Sequence, residues 1–217
     1  MTSFSPATLD KPAIYRLLTG LVVPRPIAFV STLSAEGTPN LAPFSFFTVV
    51  SVMPPMLGIA VGKRQGISQK DTLTNITATG EFVINVVSED IAEQMNTASL
   101  DWAPEVDEFV VSGLTAVNDT VAVKPPRILE SPAQFECRHE RSIEFEDYVF
   151  VIGKVEHIHV ADGLFDAQSR IDPARLRPLG RLAGALYCRT RDIFALERNA
   201  DNPEKHGPAP SKTPAPG

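Results

Sequence analysis

Behind the triplet Asp10-Lys11-Pro12, apolar residues return at Ile14, Leu17 and Leu18, the spacing of one helix face. An aspartate followed by proline in the first turn starts a helix, so a short N-terminal helix is expected there. From Pro26 the period shortens. The runs IAFVSTL (27–33), APFSFFTVVSV (42–52) and MLGIAV (56–61) are β-branched and aromatic and are bounded by Gly, Pro and Asn, which is the texture of strands. The polar link AEGTPN is expected to fold the first two into a hairpin. Ser68 with Asp71 three residues later reads as a capping box, which starts a helix at Gln69. That helix is closed by Gly80, a residue suited to a left-handed C-terminal cap.

EFVINVV (81–87) returns to strand, and Ser88 opens a second helix, SEDIAEQMNTAS, with its acids in the first turn. Residues 101–132 carry weak patterning and read as loop with short extended pieces. AQFECRHERSIEF and YVFVIGKVEHIHV flank Glu146-Asp147, giving a long hairpin with a tight turn. A final strand is expected over residues 185–189. Many short strands, few helices and no regular βαβ alternation point to an antiparallel barrel with helices packed on it.

The chain has 217 residues, 43% of them hydrophobic, enough for one substantial core and one domain over residues 1–198. Residues 199–217 are proline-rich with almost no large apolar side chains, and read as a mobile tail. The formal charge is −6, with no global basic field, so nucleic acid is not an expected partner. No apolar stretch reaches the roughly 20 residues of a membrane span, and the first residues lack the pattern of a signal peptide. Cys137 and Cys188 match no disulfide framework, which fits a soluble, cytoplasmic protein.

Three patterns carry candidate chemistry. In VGKRQGISQKDTLTNI (61–76), the helix start is aimed back at Lys63, Arg64 and Gly66, so amides, hydroxyls and cations can converge on a phosphate. A capped helix beside basic residues is, by itself, most often only a capped helix. In PRPIAFVSTLSAEGTPNLAPFSFF, the small polar groups of Ser31, Thr32, Asn40 and Ser45 stand among apolar neighbours, a setting for a flat heteroaromatic ligand; turn chemistry explains any one of them equally well. Cys137-x-His139 and His157-x-His159 have the spacing of metal ligands on a strand. A two-residue turn at Glu146-Asp147 sets Cys137 opposite Glu156 and His139 opposite Lys154, turning the two pairs to opposite faces unless a bulge intervenes, so no metal site is expected. GxSxG, GxGxxG and P-loop fingerprints are absent, and no catalytic residue is assigned.

The ordered series Tyr15 to Leu18, VPRPIAFVST, EGTPNLAPFSFF, VMPPML, KDTLTNI, EFVINVV and RPLGRLAGALY resembles the flavin reductase-like, FMN-binding split-barrel family, over about residues 11–197. The resemblance implies a mainly β, antiparallel Greek-key split barrel of six strands, paired as a homodimer with FMN near the interface. It implies that Ser31, Thr32, Asn40, Ser45 and Phe46 line the isoalloxazine and ribityl chain, and that Lys63, Arg64, Ser68, Lys70, Asp71 and Thr72 receive the phosphate. The implied activity is that of an NAD(P)H:flavin reductase, with NADH or NADPH as transient donor, supplying reduced flavin or electrons to a partner monooxygenase or other acceptor. A flavoredoxin-like electron carrier without direct NAD(P)H activity is the alternative. RLAG at Arg181 to Gly184 departs from the family's commoner RLGG, and Trp102 is left without a role.

Overall fold

The computed structural model describes residues 1–63, 70–103 and 105–196. In chain order these form α1 (Lys11–Leu21), β1 (Ala28–Leu33), β2 (Pro39–Phe44), β3 (Phe47–Val52), β4 (Pro55–Gly62), α2 (Asp71–Thr79) and β5 (Glu81–Val86). There follow α3 (Ala92–Ala98), α4 (Glu108–Ser112), the two-residue strands β6 (Ala116–Val117) and β7 (Arg127–Ile128), β8 (Ala133–Glu144) and β9 (Tyr148–Val160). The last elements are α5 (Pro173–Leu176), β10 (Leu179–Arg181) and β11 (Tyr187–Arg189). Asp10 caps α1 by accepting from the Ala13 amide at 2.8 Å, and Gly80 closes α2 at φ 73°, both as their sequences dictate.

Seven strands make one antiparallel sheet in the order β2-β1-β5-β8-β9-β4-β3. Its two edges, β2 and β3, are consecutive in the chain and only Ser45 and Phe46 separate them. The run expected as a single strand over residues 42–52 is therefore two strands at opposite edges, and the short link between them draws the sheet closed into a barrel. Phe46 has already joined the far edge, since its carbonyl accepts from the Ala60 amide at 2.8 Å. Inward residues of β1, β2, β4, β5, β8 and β9, among them Val30, Phe44, Ile59, Phe82, Cys137 and Val151, make the barrel core. Helix α2 lies across one mouth of the barrel, adding Leu73 and Ile76 to that core. A second core on the outer face, with Phe29, Leu41, Ile91, Met95, Phe109 and Leu179, buries α3, α4 and the C-terminal hairpin β10–β11.

Other expectations need correction. Helix α2 is described from Asp71, with Lys70 as its N-cap residue; Gln69, where a start was expected, lies outside the described residues, as do Arg64, Gly66, Ser68 and the segment 199–217. The second helix opens as a 3-10 turn, Glu89–Ile91, before α3. The segment read as loop contains α4, capped by Asp107. In the β8–β9 hairpin, register shifts at Glu136/Cys137 and His139/Arg141 set Cys137 opposite Val155 and His139 opposite Gly153. Each bulge slips the pairing by one residue, an extra residue that spacing alone does not reveal.

Candidate functional site

Beside the seam, a cleft of about 400 Å³ is walled by α1, the β2–β3 link, the start of α2, the end of α3 and the hairpin β10–β11. Its lining brings together Arg25, Lys70 and Arg181 with Tyr15, Ser45 and Tyr187, and includes no carboxylate among its described residues. In a chain with 26 acids against 20 basic residues, that is a local reversal of sign, and a recess so lined favours anions.

Arg25 builds this site. It is 7% exposed, and its guanidinium donates to the carbonyls of Thr19 at 2.6 Å, Val22 at 2.8 Å and Leu182 at 2.9 Å. One side chain thus ties the C-terminal turn of α1 to the hairpin loop. Its backbone extends the tie, with Arg25 and Arg181 exchanging amide-to-carbonyl bonds of 3.0 and 2.9 Å. The Arg25 Nε also reaches the Ser45 hydroxyl at 3.5 Å. Phe46 stacks on Tyr148 with ring centroids 5.3 Å apart, and it faces a neighbouring apolar groove walled by Leu18, Val22, Pro24, Pro26 and Phe47.

The mouth of the barrel next to the cleft is held by a buried polar knot. Asn40 donates through Nδ2 to the hydroxyls of Thr32 at 3.2 Å and Thr72 at 3.0 Å, and Asn75 donates to Thr32 at 3.0 Å. All four residues are at most 8% exposed. Their bonds fix α2 against β1 and β2, and with it Lys70, whose ammonium stands 5.6 Å from the Phe44 ring centre. Asp71 lies in the first turn of α2. Behind it, Glu108 accepts from the Leu41 amide at 3.0 Å; burial pushes its carboxyl above the usual range, and the charge of Asp71 adds to that.

The sequence-derived set therefore divides. Thr32, Asn40 and Thr72 converge in the polar knot, Ser45 and Lys70 line the cleft, Asp71 lies in the first turn of α2, and Phe46 faces the apolar groove. Ser31 does not: it is on the outer face of β1, where its hydroxyl donates to the Pro126 carbonyl. Lys63 is turned to the β8–β9 turn, donating to the Phe145 carbonyl at 2.7 Å, with Glu144 at 3.4 Å. Arg25, Asn75, Arg181 and Tyr187 were given no role from the sequence, although PRP, KDTLTNI and RPLGRLAGALY each contain one or more of them. Trp102 donates to the Thr97 carbonyl at 3.0 Å, capping its own loop. Glu136 and His159 are bonded at 2.6 Å, and Cys137 is buried in the barrel core with its thiol pushed up by desolvation.

Residues 20–191 match the family model of the flavin reductase-like domain. Nitrilotriacetate monooxygenase component B from Bacillus cereus superposes with a TM-score of 0.85 at 33% identity, covering 90% of this chain and 98% of that one. The 2-nitrobenzoate 2-nitroreductase of Pseudomonas fluorescens gives 0.84 at 34% identity, over 93% and 98%. Flavoredoxin of Desulfovibrio vulgaris (Miyazaki F) shares the fold, at 0.72 and 20% identity, over 93% and 100%. The barrel closed at the β2–β3 link, the helix across its mouth and the matched residues agree: this chain belongs to the flavin reductase-like family of split-barrel proteins.

Proposed function

We propose that the chain is an FMN-dependent oxidoreductase, most simply an NAD(P)H:flavin reductase, and that the cation-lined cleft takes the flavin. The observation that carries this reading is the carboxylate-free cleft beside the start of α2 in a member of this family. Its volume falls in the range of small-molecule pockets. The residues fit a flavin mononucleotide: Lys70 and the first amides of α2 suit a phosphate dianion, and Ser45 with Ile27 and Pro43 supplies a narrow wall of mixed polarity for a planar ring. The Thr32–Asn40–Thr72–Asn75 knot orients α2, and Arg25 holds the walls at fixed separation. Bound flavin supplies the hydride and electron chemistry, while the protein supplies position and field.

Family resemblance to homodimers finds support in the surface. Leu18, Leu21, Val22 and Val23 near the end of α1, and Val49, Val50, Val52 and Met53 on the β3–β4 hairpin, are all exposed; a second copy covering them suits an apolar surface of this kind. The deciding experiment is an anaerobic absorbance spectrum of FMN-loaded protein before and after NADH and then NADPH. Bleaching of the flavin band names the donor and supports the reductase. A flavin band removed only by dithionite moves the reading to an electron carrier of the flavoredoxin kind. Lys70→Ala is expected to weaken FMN binding about tenfold to hundredfold, the loss of one charge-assisted hydrogen bond, in a fluorescence titration; an unchanged titration curve removes Lys70 from the phosphate site.

A further inference from the structure

The cleft has more positive charge than one phosphate at Lys70 requires. Of its three cations, Arg25 is occupied by protein carbonyls. Arg181 is different. Many of the other arginines are matched to carboxylates, among them Arg127 to Asp119, Arg138 to Glu81, Arg175 to Asp172, Arg177 to Asp90, and Arg189 and Arg191 to Glu89. Arg181 has no carboxylate partner among the described residues. It donates to the Gly184 carbonyl, and its guanidinium carbon lies 4.4 Å from the Tyr187 ring centre.

Those contacts pre-set the guanidinium. The backbone of Arg181 exchanges both of its hydrogen bonds with Arg25 and lies in register opposite Tyr187 of β11. Gly184, at φ 58°, turns the loop so that its carbonyl meets the side chain of Arg181. A guanidinium has five N–H donors in a rigid fork that matches an oxyanion. A stacked, half-buried fork with donors to spare in a carboxylate-free recess loses little freedom on binding one.

We infer that Arg181 docks an oxyanion, phosphate or carboxylate, of a second small-molecule substrate that shares the cleft with the flavin. The inference rests on the flavin reading for what fills the Lys70 side, and it makes Arg181 a determinant of substrate choice. Lys70 stands at the start of α2 and Arg181 on the C-terminal hairpin, so the two can be separated by mutation.

The test adds inorganic pyrophosphate or benzoate to FMN-loaded protein at constant ionic strength and records the flavin difference spectrum. A saturable change is expected with one of them, and which one distinguishes a phosphate from a carboxylate. Arg181→Gln should weaken that anion at least tenfold while leaving the FMN dissociation constant within about twofold, and Arg181→Lys should fall between. Isothermal titration of the same anions into flavin-free protein gives a second readout, so failure of FMN to bind overturns the flavin reading without deciding this one. The inference is overturned if neither anion gives saturable binding by either method, if Arg181→Gln leaves anion binding unchanged, or if that variant weakens FMN as Lys70→Ala does. The last result assigns Arg181 to the flavin phosphate.

Discussion

Glu136 is fully buried on the outer face of β8, and four donors converge on it: the amides of Val121, Ala122 and Val123, and the His159 ring. It fastens the loop before β7 to the sheet, the same loop whose Pro126 carbonyl receives Ser31. Burial works to raise its pKa but is outweighed by the amides and His159, so the carboxyl is held below its usual range. Glu136→Ala leaves three amides short of an acceptor and is expected to lower unfolding free energy by on the order of 3 kcal/mol in urea. Because the folded value is depressed, that stabilisation is complete above the unfolded carboxylate pKa near 4.3 and shrinks as pH falls through the folded one. The gap between wild type and variant should therefore narrow in acid. Glu108 runs the other way. Its raised folded pKa makes the ionised form a penalty at pH 8 that fades as pH falls through the folded value towards about 4.3. Glu108→Gln, which keeps an acceptor for Leu41, should be at least as stable as wild type at pH 8 and lose that advantage near pH 4, as read by thermal melts.

Elements whose limits are set by their own residues were legible in the sequence: α1 from Asp10, the end of α2 from Gly80, the β8–β9 hairpin from its turn. Gly80→Ala forces a side chain into φ 73° and is expected to cost about 1 kcal/mol. Gly153→Ala should cost more, because its new methyl would come within 2.3 Å of the Phe82 ring in the packed barrel. What stayed hidden was decided by distant partners. Nothing in APFSFFTVVSV marks Ser45 as a strand end, since the break is imposed by closure of the barrel and not by a local breaker. Helix α4 is a turn and a half, too short for a period to show, and is held by Phe109 in the outer core. The candidate site was half legible for the same reason. The Thr32–Asn40 pair follows from a hairpin, but the cap expected at Ser68 falls outside the described residues, Lys63 is drawn away by Glu144 and Phe145, and Arg181 arrives from the far end of the chain through a bridge to Arg25.

Across the whole molecule, Leu18 and Val22 of the α1 end and Phe47 and Thr48 of β3 line one groove, and the exposed Val49, Val50, Val52 and Met53 follow Thr48 along the β3–β4 hairpin. Sedimentation is expected to show a dimer, and Val52→Glu, a charge placed on an 81% exposed residue, should shift it to monomer without loss of folding. An unchanged sedimentation profile would move the dimer contact elsewhere. The link at Ser45 and Phe46 has a mechanical meaning as well. Two residues reach at most about 7 Å when fully extended, so they act as a clasp that limits how far the barrel's two margins can part. Ser45 borders both the cleft and the apolar groove, so a molecule seated in either would meet the same short tether. Nicking the chain at that point would unfasten the cylinder, whereas nicking it at the Glu146-Asp147 turn would leave the clasp shut.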